Sequence, residues 1–411
     1  MPILASELEK VKGLERAEWE KWDDVRVRED FLGDIRPRVM EMVRRLLESG
    51  MELDVNDLIG SNRWQHNYER STYRNGSYRR NLLTSYGYIQ NIKVPRVREG
   101  GIESTVLPRY KRRSVEIDEQ VLKMFLAGVS TRRVDEVLGA LIGGIGNISA
   151  TTVSKIAKRL DRYVARYHNR YLDDEYLYLI LDGVYLNTKS PVHKRRRVVL
   201  VCYGIKKDGN RELIDFELAV RGESENAWVK FLNGMYHRGL KGERLKLATI
   251  DGNKGLRNAL DFVYPNVKVQ RCWVHKLRNV SNTLPKKLRD VCVNEARDIY
   301  SRENYDDAVY AFRKWSATWK IIAPLSVKCI EEDLEELLNF YEQPEPLRIK
   351  LRTTNIIERV FREVRRRTRP MSCFNNRASV ERIVFAILTR QNNLWKDKPL
   401  LKNFLELTQN T

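Results

Sequence analysis

Hydrophobic positions recur with helical spacing in the first sixty residues. Phe31, Ile35, Val39, Met42, Val43, Leu46 and Leu47 mark one amphipathic helix, and Leu53, Val55 and Leu58 continue as a second, short one. From 61 to 113 the period changes: YIQNIKVPR alternates like a strand, and RNGS and YG read as turns. Three helices follow between 115 and 168. VEIDEQVLKMFLAG ends at Gly128, where a left-handed C-cap fits; Ser130 can N-cap TRRVDEVLGALI, and Ser149 can N-cap ATTVSKIAKRLDRYVARY. Residues 176–275 are the most regular. YLYLILDGVYLNT is a nearly continuous apolar run, as in a strand buried on both faces. RRRVVLVCYGI and RELIDFELAV flank the hairpin signal KKDGN. SENAWVKFLNGMYHRGL and GLRNALDFVY have helical period, while LKLATIDG and VKVQRCWVH read as strands, so the order is β-β-β-α-β-α-β. Beyond 284 the pattern is helical only: PKKLRDVCVNEARDIY, NYDDAVYAFRKWSATWK and VKCIEEDLEELLNFY, closed by Pro344 and Pro346. Then come RTTNIIERVFREVRRRT, capped at Thr353, Thr354 or Asn355, and a last apolar helix over 379–396. No internal repeat interrupts this.

The 411 residues suffice for two or three cores. With 42% apolar residues and 38 aromatic ones, the chain folds rather than remaining disordered. No apolar run is long enough for a membrane span, and MPILASELEKVKG has no leader-like apolar core. Cys202, Cys272, Cys292, Cys329 and Cys373 are too scattered for a disulfide framework, which suggests reduced thiols and a cytoplasmic protein. The net charge of +20 changes the picture most, because it calls for a polyanionic partner. A membrane surface is disfavoured, since no basic helix has a broad apolar face. Nucleic acid is the better partner. Residues 61–113 carry twelve Lys/Arg against three acids, with Trp64 and six tyrosines among them. Arg74, Arg79, Arg80 and Arg96 in this stretch are candidates for phosphate contact. The helix, AGVS turn and polar helix with Lys155 and Lys158 resemble a helix-turn-helix.

Two strands share a dipeptide: Leu181-Asp182-Gly183 lies within the first sheet strand, and Ile250-Asp251-Gly252 ends the fourth. In the strand order above they are neighbours, so their carboxylates come close. Such a pair repels unless a divalent ion joins it, and the following glycine leaves room for a substrate backbone. An Asx turn at each strand end is the other reading of Asp-Gly. A third acid, Glu358, lies off the apolar stripe Ile356, Ile357, Val360, Phe361 and Val364, and shares its face with Arg362, Arg365 and Arg369. It reads as a metal ligand beside a phosphate track, or as half of a surface ion pair with Arg362. Glu363 lies nearer the stripe.

The chain resembles bacterial insertion-sequence transposases of the Mutator type. The resemblance is carried in order by YRNGSYRR, TSYGYIQNIKVPRVREG, LAGVSTRRVDEV, DGVYL, GIKKDGNRE, ESENAWVKFLNGMYHRGL, DGNKGL, QRCWVHKLRN and LRTTNIIERVFREVRRRTR, with RIVFAILTRQNNLW downstream. It implies an α/β ribonuclease-H-like catalytic domain, with a mixed five-stranded sheet and an all-α insertion, preceded by helical and helix-turn-helix DNA-binding regions. The boundaries become 1–60, 61–113, 114–172, 173–275, 276–350 for the insertion and 351–411 for the final helices. The implied Asp-Asp-Glu triad falls on Asp182, Asp251 and Glu358, the acids picked out above, spaced by 69 and 107 residues. Two Mg²⁺ ions, replaceable by Mn²⁺, would activate and stabilise oxygens in phosphoryl transfer. Asp182 would bridge them, and no covalent protein intermediate is needed. The stretch GGIGNIS at 143–149 is longer and richer in glycine than the family pattern.

The resemblance further implies binding of terminal inverted repeats and target DNA, a circular intermediate, a homodimer bridging two ends and a place near the bacterial nucleoid. Cys272-Trp-Val-His275 matches the family's Cys-x-x-His mark. Zinc is disfavoured, because Cys292, Cys329, Cys373 and His237 lie at no zinc spacing. Cys272 reads as core, while Arg271, His275, Lys276 and Arg278 are expected near DNA. Trp273 either stacks on a base or packs under the helical block, and Trp315 and Trp319 read as core of that block. His66, His168 and His193 have no partner pattern. Two rival readings stay open: a structure-selective nuclease of the same fold, and a non-catalytic DNA-binding regulator descended from a transposase.

Overall fold

The computed structural model describes residues 28–409 except 66, 143–147, 190–193, 220–221, 370–373 and 375. The opening segment, most of the Gly-rich stretch, His66, His193 and Cys373 lie outside the described residues. The chain forms two compact units: Met1–Phe125 with Thr131–Val153, and Leu126–Ser130 with Ser154–Thr411. The stretch 114–172 is shared between them.

In the first unit, α1 (Arg28–Ile59) is one helix running through Pro37, where the spacing suggested two. Met40, Val43, Leu47 and Met51 face a core of Leu82, Ile89, Ile92 and Leu107. Val55 and Ile59 continue the buried face, so nothing favours a break. Met42 and Leu46, placed in the stripe by spacing, are exposed. β1 (Arg74–Thr84) and β2 (Gly87–Val97) pair antiparallel. RNGS is not a turn: the register slips between Arg74 and Ser77, where Gly76 has φ +68°, so the segment is a bulge within β1. Next come α2 (Val115–Ala127) and α3 (Val134–Ile142). The expected third helix is two, because the Arg159 N–H bonds back three residues to Ile156 O at 3.1 Å: α4 (Ala150–Lys158), along which the chain leaves the first unit at Val153, and α5 (Leu160–Asn169), which belongs to the second.

The second unit is built on a five-stranded mixed sheet. β3 (Tyr176–Lys189), β4 (Lys194–Lys206) and β5 (Arg211–Ala219) run antiparallel in succession. After α6 (Glu225–His237), β6 (Leu247–Ile250) pairs parallel to β3; after α7 (Lys254–Val263), β7 (Lys268–Arg271) pairs parallel to β6. The spatial order is β5-β4-β3-β6-β7, and it makes the two Asp-bearing strands neighbours. Ser224 and Asn253 cap the crossover helices by accepting the Ala227 and Leu256 N–H groups. One sheet face, with Leu179, Leu181, Leu200 and Cys202, packs on Trp228, Phe231, Leu256 and Leu260.

The strand reading of VKVQRCWVH ends at Arg271, for Cys272 is the N-cap of α8 (Trp273–Asn282). Trp273, Leu277 and Val280 recur at helical spacing and enter a separate core with Phe312, Trp315 and Trp319. That core lies among α8, α9 (Lys286–Arg297), α10 (Tyr305–Trp319), α11 (Pro324–Glu331) and α12 (Leu334–Leu338). Pro344 and Pro346 do not merely end the helical block; they occupy the cap and first turn of α13 (Glu345–Leu351), where a missing N–H is harmless. α14 (Asn355–Thr368) then packs on β3 and α15 (Arg377–Trp395) on β5; a short α16 (Phe404–Gln409) follows. Among the described residues no helix is long and apolar enough to cross a membrane.

Candidate active site

Successive side chains of a strand point to opposite faces. Leu181 faces the crossover helices, so Asp182 faces the other side of β3, the side on which α14 packs. Asp182 is only 7% exposed. Its Oδ1 accepts the Gly183 N–H at 2.7 Å. Burial and the Asp251 carboxylate push the Asp182 carboxyl up to about 7, against the opposing pull of the Gly183 N–H and His275. Asp251 follows the last residue of β6, and its Oδ1 accepts the Asn253 N–H at 3.0 Å. The Asx turn thus exists at Asp251, together with the carboxylate neighbour. Glu358 stands in the first turn of α14 and is half-buried; its Oε1 lies 3.3 Å from His275 Nε2.

His275 links these groups. Its imidazole is pushed up to about 9, first by its hydrogen bond with the Cys272 thiol and then by the fields of Asp182 and Asp251, which outweigh burial. Burial would raise the Cys272 thiol, but His275 and Thr354 hold it below its ordinary range. Among the described residues no three His, Cys, Asp or Glu side chains are gathered so as to hold one ion. The donor chemistry nonetheless fits a hard cation: Asp182 and Asp251 are oxygen donors, the charge of Asp251 disfavours that of Asp182, and a third carboxylate lies one imidazole away.

The pattern that defines the transposases of the Mutator family matches residues 20–398. The chain belongs to the Mutator family of transposases. It is 33% identical over 357 residues to the transposase for insertion sequence element ISRM5 of Rhizobium meliloti (strain 1021), covering 87% of this chain and 88% of that one. It is 31% identical over 348 residues to the transposase for insertion sequence element IS256 in transposon Tn4001 of Staphylococcus aureus, covering 84% and 87%.

In this Mutator-family transposase the basic residues picked from sequence fall into two groups. Arg79, Arg96, Lys155, Lys158, Arg278, Arg362, Arg365 and Arg369 are exposed. Arg79 and Arg96 line a cleft of about 1030 Å³ in the first unit with Arg80, Arg109, Tyr78 and Tyr88. Arg271, Trp273 and Lys276 are instead engaged within the fold, which corrects the expectation that they face DNA. Trp273 is 1% exposed and its indole N–H donates to Leu337 O at 2.7 Å, so it packs under the helical block. Lys276 is buried against Asp333 and donates to Cys329 O. Arg271 pairs with Glu336 and Asp333 and donates to Gly252 O at 3.2 Å, bracing the turn after Asp251. Arg74 is tied to Glu52 and Ser61 O, and Arg80 to Pro108 O. His168, left without a role by its sequence context, pairs with the buried Asp215 at 2.8 Å.

Glu223 was missed. Burial and the Asp251 carboxylate raise its carboxyl, and its Oε2 accepts from the Tyr185 hydroxyl at 3.3 Å. Both lie inside stretches that carry the family resemblance, ESENAW and DGVYL, but a lone Glu before a helix has no local signature. Only the fold brings the connection between β5 and α6 back beside Gly183, where Glu223 meets the two aspartates.

Proposed function

We propose that this chain is the catalytic transposase of an insertion sequence, cutting DNA at the element's ends and joining them to new DNA. What supports the reading is the meeting of Asp182, in the middle of β3, with Asp251, just past the end of the parallel neighbour β6, and Glu358 held 3.3 Å from an imidazole that feels both aspartates. The second unit would be ribonuclease-H-like, with the helices of 276–350 as an insertion ahead of Glu358. Asp182, Asp251 and Glu358 would hold two Mg²⁺ ions, or Mn²⁺ in their place, which supply activation of the attacking oxygen and stabilisation of the leaving one. The chain's own part is to hold DNA in register. Arg362, Arg365 and Arg369 lie on the exposed face of Glu358's helix and would grip phosphates beside the acids. Arg79 and Arg96 in the basic cleft, with Lys155 and Lys158 on α4, would bind the terminal inverted repeats.

Water first cleaves a phosphodiester at the element's end and frees a 3′-hydroxyl; that hydroxyl then attacks a second phosphodiester and displaces its 3′-oxygen. A circular intermediate, a homodimer bridging two ends and work at the bacterial nucleoid in the cytoplasm belong to the same proposal. The test uses purified Asp182→Asn, Asp251→Asn and Glu358→Gln proteins with labelled element ends and Mg²⁺. Each should lose cleavage and strand transfer while still shifting the end DNA in a gel. Cleavage retained by any one removes that residue from the triad. Cutting without joining by the wild type points to a nuclease, and end binding with neither step points to a regulator.

A further inference from the structure

The Cys-x-x-His element has no role in the reading above, and zinc does not supply one. Cys292 and Cys329 belong to the core of the helical block, and among the described residues no metal-binding group of three forms. Its geometry joins the parts of the site instead. The Cys272 N–H bonds Ile250 O at 2.8 Å, immediately before Asp251. The Cys272 sulfur accepts the Thr354 N–H at 3.3 Å and lies 3.5 Å from Thr354 Oγ1. Thr354 is wholly buried and caps α14; its carbonyl accepts the Glu358 N–H at 3.1 Å. The next backbone link, Trp273 N–H to Arg352 O at 3.1 Å, makes a second stitch between the same two segments. Because Cys272 caps α8, His275 stands one turn along it. There Nδ1 lies 3.5 Å from Thr354 Oγ1, and Nε2 reaches Glu358.

We propose that Cys272, Thr354 and His275 form a positioning unit for Glu358: the thiol locks the start of α14 to the strand that carries Asp251, and the imidazole orients the Glu358 carboxylate for ion binding beside the aspartates. None of the three touches the reacting atoms. The unit explains a four-residue spacing that strand geometry cannot use, since residues i and i+3 meet only across a helical turn. It rests on the metal-dependent reading of Asp182, Asp251 and Glu358, in which a partner behind a ligating carboxylate sets its orientation.

The experiment measures Mn²⁺ binding to the full-length protein by the loss of free-ion electron paramagnetic resonance signal. End-DNA affinity and strand-transfer rate against Mn²⁺ concentration are measured in parallel. His275→Ala should weaken Mn²⁺ binding about tenfold or more and raise the half-saturating Mn²⁺ for strand transfer by the same factor. End-DNA affinity should hold. His275→Gln, which keeps a donor near Nε2, should restore most of the loss, and Cys272→Ser should be milder than Cys272→Ala. Mn²⁺ binding that is unchanged or tighter in His275→Ala overturns the proposal, tighter binding meaning that the imidazole competes with the ion. Glu358→Gln separates the two readings. If it matches wild type in ion binding and strand transfer, the triad falls and the positioning unit with it. If it loses both while His275→Ala does not, only the positioning unit falls.

Discussion

Asp182→Asn should stabilise the protein in the absence of divalent ions, the opposite of its effect on activity. In the fold, burial and the Asp251 carboxylate hold the Asp182 carboxyl at about 7. In an unfolded chain it would ionise near 3.9. At about 1.4 kcal/mol per pH unit, keeping it charged costs at most about 4 kcal/mol. Because the folded state binds this proton more tightly, stability is full below about pH 4 and declines as pH rises to about 7, then levels. Asparagine carries no charge and retains an oxygen to accept the Gly183 N–H. If relaxation leaves about half of the ceiling, the variant gains about 2 kcal/mol and melts roughly 4–8 °C higher in a unit of this size. Thermal unfolding of both proteins in EDTA, from about pH 4 to about pH 8, measures the difference. The gap should be near zero at the acid end, widen through the middle and then stay constant. A variant no more stable than wild type near pH 8, or a gap indifferent to pH, refutes the reasoning. Added Mg²⁺ should stabilise the wild type and leave the variant unmoved.

Three further outcomes follow from particular contacts. Lys276→Met takes away the nearer of Asp333's two cations and leaves it Arg271 at 3.4 Å, and should cost about 2 kcal/mol in urea unfolding, without changing DNA affinity; adding Asp333→Leu should recover part of it. Arg362→Ala and Arg365→Ala should weaken binding to all DNA sequences alike and lower the slope of log affinity against log salt by about one each, whereas loss confined to one sequence would mean base readout. Gly239→Ala should destabilise the second unit by about 1–3 kcal/mol, because Gly239 has φ +120° and a Cβ there meets the Leu172 carbonyl; an unchanged unfolding curve contradicts that.

Most of the secondary structure was legible, because burial leaves a period in the sequence wherever one face of an element is covered. The apolar run around Asp182 announced a strand buried on both sides, and β3 is one. The readings that failed lie where a local pattern met a competing partner. VKVQRCWVH continued as a strand on paper, but only four residues pair with β6 before Trp273 turns into the helical core. RNGS has the composition of a turn and serves as a bulge, since the register of β1 against β2 is set by the packing of Leu82, Ile89 and Ile92. Arginine, lysine and tryptophan posed the reverse problem. Their chemistry suits DNA and interior pairing equally, so Arg271, Trp273 and Lys276 looked like DNA contacts until their partners in the helical block, Glu336, Leu337 and Asp333, were known.

Family membership, the order of the strands and most of the helices can be read along the chain, and three acids stand out there as candidates, because each rests on residues near one another or on motifs read in series. Which charges become neighbours emerges on folding. That depends on sheet order and helix docking, which bring residues such as Tyr178 and Gln343, or Leu213 and Asn392, within hydrogen-bond reach across more than 150 positions. Glu223 beside the aspartates, and His275 between them and Glu358, are products of that docking.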